Sequence, residues 1–194
     1  MSSGSTLANV LDKLVQMELV QRQAPINDPE NRRKTGYVIV DGLSKFFYRY
    51  IFRYLSQRSF LDSEVFFDRF VAEDFEARYV PHAFEEVCRQ YLIRQNRAGR
   101  LDPAFDLIGK YWYDDPANRS NGEFDIVTRD PRGYFFYEAK FRSTPVSAAM
   151  VADEIRQVEK TGLTCYRYGF ISRSGFTAQP DERTVFIDLA ELYA

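Results

Sequence analysis

With 194 residues, 45% of them apolar and 16% aromatic, the chain holds enough core-forming material for a well-packed domain with a small appendage and is too apolar to be disordered. A formal charge of −2 excludes the global basic field of a protein that coats nucleic acid, so any contact with phosphate must come from local patches. The single histidine, His82, argues against His-based zinc sites and Ser-His-Asp triads, which leaves acid–base work to carboxylates and lysine.

Ser5 or Thr6 is expected to cap a first helix, in which Leu7, Val10, Leu11 and Leu14 recur at helical spacing. LVQRQAPI and TGYVIVD then read as two short strands around the polar loop NDPENRRK, punctuated by Pro29 and Gly36. A helix followed by a hairpin is the second half of a winged helix-turn-helix, assigned to residues 1–41; with the first half absent, the chain is expected to be a fragment of a longer protein. Arg32, Arg33 and Lys34 stand at the wing tip, where contact with DNA phosphate competes with an ordinary solvated loop.

Residues 42–78 are expected to form a helical connector. Asp41 caps its first helix, whose Leu43, Phe46, Phe47, Tyr50, Ile51, Tyr54 and Leu55 make a broad apolar face, and a second helix near residues 63–77 carries Phe66, Phe67, Phe70 and Val71. Aromatic stripes of this kind are core far more often than ligand cages.

From residue 79 onward the order reads α-β-β-β-α-β with a final β-α piece. Pro81 suits the first turn of a helix with Phe84, Val87, Cys88, Tyr91 and Leu92 on its buried side. FDLIGKYWY, FDIVT and YFFYEAKF read as strands, the last two joined by the turn RDPRG; a helix near 146–160 stops at Gly162, and TCYRYGFIS and RTVFID complete the sheet. Trp112 and the two cysteines, Cys88 and Cys165, are expected in the core as unpaired thiols and a core ring, and His82 at a helix start as a capping or surface residue.

Three charges stand out in this region. In a hairpin turning near Pro131, Asp125 falls opposite residue 137, give or take one, so Asp125 and Glu138 can lie side by side, while alternation puts Glu138 and Lys140 on one face. Two carboxylates this close repel unless a cation lies between them, and a hard, oxygen-liganded ion such as Mg²⁺ is the natural partner, with Lys140 steadying the charge of phosphoryl transfer. Upstream, Glu85 lies at the edge of its helix's buried stripe, where it either looks toward the sheet end or is an ordinary boundary glutamate. Arg89, Arg94, Arg97 and Arg100 form a basic run that is either a nucleic-acid patch or a solvated face.

An acid, a strand, a turn and then EAK, after a helix with an early Glu, resembles the PD-(D/E)XK nuclease superfamily, a restriction-endonuclease-like fold with an αβββαβ core in a mixed α/β sheet. Together, LDKLVQMELVQRQAPI, YVIVDGLSKFFYRYIF, FEEVCRQYL, IGKYW, EFDIV and YEAKF resemble the C-terminal region of archaeal-type AAA ATPases, in which a P-loop ATPase precedes a winged helix and a nuclease-like domain. The resemblance implies a nuclease-like domain over residues 79–194 that hydrolyses phosphodiester bonds in DNA. It makes Asp125, Glu138 and the backbone carbonyl of Ala139 ligands of Mg²⁺ or Mn²⁺, Lys140 the catalytic lysine and Glu85 the helix acid; Gln157 either answers to a polar residue that some members place on the later helix or, the preferred reading for one Gln on a polar face, is an ordinary solvated side chain. No GxxxxGK[ST] loop is present, so the ATPase would be an upstream partner missing from this chain. The alternative is a non-catalytic DNA-binding or regulatory module of such an ATPase. No apolar run reaches the roughly 18 residues of a membrane span and the first 30 residues lack a signal-peptide core, so no membrane partner and a cytoplasmic location are expected.

Overall fold

The computed structural model describes residues 3–115, 120–163 and 165–194. The chain forms two compact units, Met1–Ala24 with Asp28–Ala77, and Pro25–Asn27 with Arg78–Ala194.

In the first unit, helix α1 (Ser3–Gln16) precedes strands β1 (Val20–Gln23) and β2 (Gly36–Ile39), which pair antiparallel with Val20 opposite Ile39. The helix starts before Ser5 and Thr6, which therefore lie inside its first turns instead of capping it. Asp41 does cap α2 (Gly42–Phe46), accepting from the Ser44 N–H at 2.6 Å. The long helix expected after it is broken into a widened turn at Phe47–Ile51, a tight turn at Phe52–Tyr54 and α3 (Leu55–Arg58). Widening lets two neighbours in sequence reach one carboxylate: Arg49 donates twice to Asp74, at 2.7 and 2.9 Å, and the Tyr50 hydroxyl donates to it at 2.7 Å. Asp74 ends α5 (Ala72–Asp74), which follows α4 (Ser63–Phe70) after a break at Val71. Tyr50, Phe66 and Val71 are the buried centre of this unit, with Phe46 and Phe75 packed against the Tyr50 ring.

The second unit is a mixed α+β fold. Helix α6 (Val80–Arg97) has a proline in its first turn and buries Phe84, Cys88 and Leu92 along one stripe. Strands β3 (Leu107–Asp115), β4 (Ser120–Asp130) and β5 (Gly133–Lys140) run antiparallel in turn; helix α7 (Ala148–Glu159) crosses to β6 (Cys165–Ser172), parallel to β5, and β7 (Thr184–Asp188) continues in parallel before the short α8 (Leu189–Leu192). The sheet order is β3-β4-β5-β6-β7, so successive strands are neighbours throughout. The Gly162 φ of +70°, just past α7, is the left-handed ending that glycine permits.

Alternation on β5 feeds two cores. Phe135 and Tyr137 join Phe84, Cys88 and Leu92 of α6, whereas Phe136 joins Val151 and Val158 of α7. Pro25–Asn27 adds to the outer side of β3, where the Ile26 N–H donates to the Lys110 carbonyl at 2.7 Å and the Asn27 side chain bonds both backbone groups of Trp112. Read from sequence as the end of one strand, LVQRQAPI therefore divides: β1 stops at Gln23, and Pro25, which has no N–H to offer a ladder, begins the segment on β3. Trp112 is only partly buried; its indole N–H is shielded from solvent and has no hydrogen-bond partner among the described residues. Both cysteines are free thiols, Cys88 buried and Cys165 half-buried.

Candidate active site at the carboxyl end of β5

Where β5 ends, the sheet carries a charge cluster that its own strand geometry assembles. The β4–β5 ladder runs to Ile126 opposite Tyr137, so Asp125 and Glu138 are the next residues along the two strands. On the other side of β4, Val127 faces Gly109 but Phe124 faces Tyr111, leaving Asp125 and Ile126 together opposite the single residue Lys110. A bulge of this kind re-aims the side chains beside it. Here it brings the Asp125 carboxylate to the Lys110 ammonium at 2.7 Å, with Glu123 on the same ammonium at 2.8 Å.

A second group forms on β5 and α7. Lys140 Nζ lies 2.7 Å from Glu138 Oε1 and 2.6 Å from Glu154 Oε1. The two groups sense each other electrostatically. Burial pushes the Glu138 carboxyl above the usual carboxylate range against the pull of Lys140, and the charges of Glu154 and Asp125 add to the rise. Glu85 of α6 is raised as well, first by burial and then by Asp125, while His82, with Nδ1 3.1 Å from Glu85 Oε2, and Lys110 hold it down. For Lys140 and Lys110 burial opposes the charged form, but their carboxylate partners outweigh it and both ammonium groups sit above the ordinary lysine value.

Four carboxylates, those of Glu123, Asp125, Glu138 and Glu154, thus pair with two ammonium groups, and Glu85, bonded to His82, senses Asp125 and Lys110 electrostatically. The oxygen-only donor set, with the carbonyl of Ala139 between Glu138 and Lys140, suits a hard ion of the Mg²⁺ type, which commonly uses one or two carboxylates and water. Among the described residues no group of three or more His, Cys, Asp or Glu side chains is arranged around one point that would hold a metal ion; the expected ligand set contains two carboxylates. The lysines occupy oxygens that such an ion would take.

Sequence reasoning missed Lys110 and Glu154. Glu154 had a signal, because it falls between Val151 and Val158 on the buried stripe of α7, an acid where an apolar residue is expected. Lys110 becomes legible only through the bulge. Beneath Glu138 and Glu154 the sheet and α7 leave a small cleft whose walls include Phe136, Val158, Tyr168 and Gly169.

Other candidates lie elsewhere. Gln157 donates to the Tyr113 hydroxyl at 3.2 Å. In the basic run, Arg89 is taken up by Glu86 and Arg94 by the Leu192 carbonyl, at 2.6 and 3.0 Å. Arg32 and Arg33 are exposed on the hairpin loop of the first unit, and Lys34 is 4.0 Å from Asp28. No helix among the described residues is long and apolar enough to cross a membrane.

A family model described as "Archaea bacterial proteins of unknown function" matches residues 47–157. The chain is also 31% identical over 109 residues to the uncharacterized protein MJECL04 of Methanocaldococcus jannaschii; the match covers 56% of this chain and 24% of that protein, so it spans about a quarter of the relative's length. No solved structure matches.

Proposed function

We infer the chemistry from the chain's own residues, because the chain belongs to DUF234, a family of archaeal and bacterial proteins of unknown function. We propose that its second unit is a PD-(D/E)XK-like domain that hydrolyses phosphodiester bonds in DNA with Mg²⁺ or Mn²⁺, serving an ATPase that supplies the nucleotide-binding loop this chain lacks. The observation that carries the reading is the excess of carboxylate over ammonium where β4 and β5 place Asp125 beside Glu138. Burial raises Glu138 and Glu85 first and the neighbouring carboxylates add to the rise, a cost that a divalent cation would relieve. The α-β-β-β-α-β order with antiparallel β3, β4 and β5 and parallel β6 supports it as well.

Asp125, Glu138 and the Ala139 carbonyl would hold the ion, whose contribution when bound is to acidify water and neutralise phosphate charge. The protein's own groups do the rest. Lys140, kept charged by Glu138 and Glu154, donates to an oxygen on which negative charge develops, and Glu154 fixes where that ammonium points. Glu85, whose carboxyl burial raises above the usual carboxylate range, would serve as a proton acceptor. The test is cleavage of plasmid and oligonucleotide DNA with Mg²⁺ or Mn²⁺: wild type should cut, Asp125→Ala should neither cut nor bind Mn²⁺, and Lys140→Ala should bind Mn²⁺ without cutting.

A second reading has its own observation. Asp125 and Glu138 each already have an ammonium partner, at 2.7 Å in both cases, so the cluster also works as a self-contained ion-pair network in a non-catalytic DNA-binding or regulatory module. That reading predicts no rise in melting temperature with Mn²⁺, whereas a bound ion must stabilise the folded state.

A further inference from the structure

An acidic cluster repels a polyanion, so a nucleic acid brought to it needs cations at its rim that are not already consumed. Several arginines of the second unit are consumed by carboxylates: Arg89 by Glu86, Arg129 by Asp106, Arg132 by Asp102, Arg156 by Asp153 and Arg183 by Glu159. Two beside the cluster are not. Arg142 and Arg173 follow the carboxyl ends of the parallel strands β5 and β6, two residues past Lys140 and one past Ser172, which pair with each other. Both arginines are exposed, and neither has a carboxylate partner among the described residues.

Their backbones are tied together. The Arg173 N–H donates to the Lys140 carbonyl at 3.2 Å, the Ser174 hydroxyl donates to the Arg142 carbonyl at 2.5 Å, and the Val146 N–H donates to the Gly175 carbonyl at 3.0 Å. Their side chains are positioned by weak partners that leave N–H edges open. The Arg173 guanidinium lies 4.6 Å above the Phe141 ring, which packs on Phe84 of α6. Arg142 reaches the opposite side, donating to Thr144 Oγ1 and to Met150 Sδ of α7, each at 3.0 Å. The two guanidinium groups therefore flank the segment that leaves β5, one toward α6 and the other toward α7. Ligands of sheets with parallel strands bind outside the carboxyl ends of those strands, and the arginine fork matches phosphate oxygens two at a time.

The geometry points to Arg142 and Arg173 as a two-point clamp for the phosphodiester backbone of a nucleic-acid strand laid across the carboxyl end of β5. The choice of a nucleic acid rests on the phosphodiesterase reading above, so the experiment separates the two. Binding of the full chain to a fluorescent DNA oligonucleotide is measured in EDTA, where cleavage plays no part, across a salt series. Arg142→Ala with Arg173→Ala should weaken binding roughly tenfold for every sequence and lower the salt slope by about 1.5. Arg142→Lys with Arg173→Lys, which keeps the charge, should retain most of the slope. The matched control Arg129→Ala with Arg132→Ala, at the opposite end of β4 and β5, should bind as wild type. No binding by wild type, equal loss in the control, loss of slope in the lysine variant, or an unchanged slope in the alanine variant would each overturn the clamp, whatever the cleavage assay shows. If instead the alanine variant loses binding while wild type never cleaves with Mg²⁺ or Mn²⁺, the clamp stands and the hydrolytic reading falls.

Discussion

Glu154 of α7 and Lys140 of β5 are joined by a 2.6 Å contact, while the same ammonium is 2.7 Å from Glu138, its neighbour two residues back on the strand. If an ion takes Glu138, Glu154 is the partner that remains to hold the lysine. Glu154→Gln should therefore leave Mn²⁺ binding intact and lower the cleavage rate roughly 10- to 100-fold, as loss of an outer partner commonly does. The sign of the pH effect follows from charge: both glutamates raise Lys140, so removing one lowers it, and the alkaline limb of the rate profile moves to lower pH. An unshifted limb would mean that Lys140 is not the group that titrates there.

Lys110 stands where a cation is wanted, on Asp125 and Glu123 at 2.7 and 2.8 Å. Replacing it with alanine removes a positive charge that competes with the ion. Lys110→Ala should tighten Mn²⁺ binding, roughly tenfold for an interaction of this range in a half-buried site, as read by calorimetry. Weaker or unchanged binding would indicate that Asp125 is no ligand.

Acidity should act on stability in a definite direction. Glu138 and Glu85 hold their protons to higher pH in the folded chain than in the unfolded one, so their contribution to stability falls as pH rises from the ordinary carboxylate value through their raised values. In EDTA the difference in melting temperature between wild type and Glu138→Gln should therefore decline from pH 4 to pH 7. Saturating Mn²⁺ should reverse that trend for wild type, since an ion binds the deprotonated carboxylate. A difference that stays flat in EDTA would place Glu138 in a solvated setting.

On the hairpin loop, Arg32 and Arg33 are exposed cations in the first unit. If the loop contacts phosphate, Arg32→Ala with Arg33→Ala should weaken DNA binding alike for all sequences and lower the salt slope by about two charges' worth. Unchanged affinity and slope would assign the loop to another contact.

How much of this was legible follows the range of the interaction concerned. Alternation in YFFYEAKF gave the two faces of β5, and counting around Pro131 brought Asp125 near Glu138, because both depend on residues close in sequence. The bulge was hidden, since it is set by how β3 meets β4, and with it the Lys110–Asp125 pair. Likewise the aromatic run FFYRYIF reads as one helix; the turn that widens it answers to Asp74, 24 residues beyond Tyr50. The transfer of Pro25–Asn27 to the edge of β3 is a tertiary choice that the local pattern of LVQRQAPI does not contain.

Close packing beneath the cluster gives the last prediction. Gly169 of β6 is paired with Tyr137, and a Cβ built on that glycine would collide with the Tyr137 ring, which lies across the strand and stacks on Phe135 at 4.1 Å between centroids. Tyr137 is buried, so the ring has little room to yield. Gly169→Ala should destabilise the domain by about 1–3 kcal/mol, the usual cost of overpacking. Because Tyr137 precedes Glu138, displacement of its ring should also disturb the carboxylate, and Mn²⁺ affinity should fall along with melting temperature. Tyr137→Leu removes the obstructing ring at its own cost in buried area. In the double variant the glycine substitution should then cost less than it does alone, a coupling that a double-mutant cycle reads directly. Strict additivity of the two changes would mean that the close approach of Gly169 to Tyr137 is not what requires glycine there.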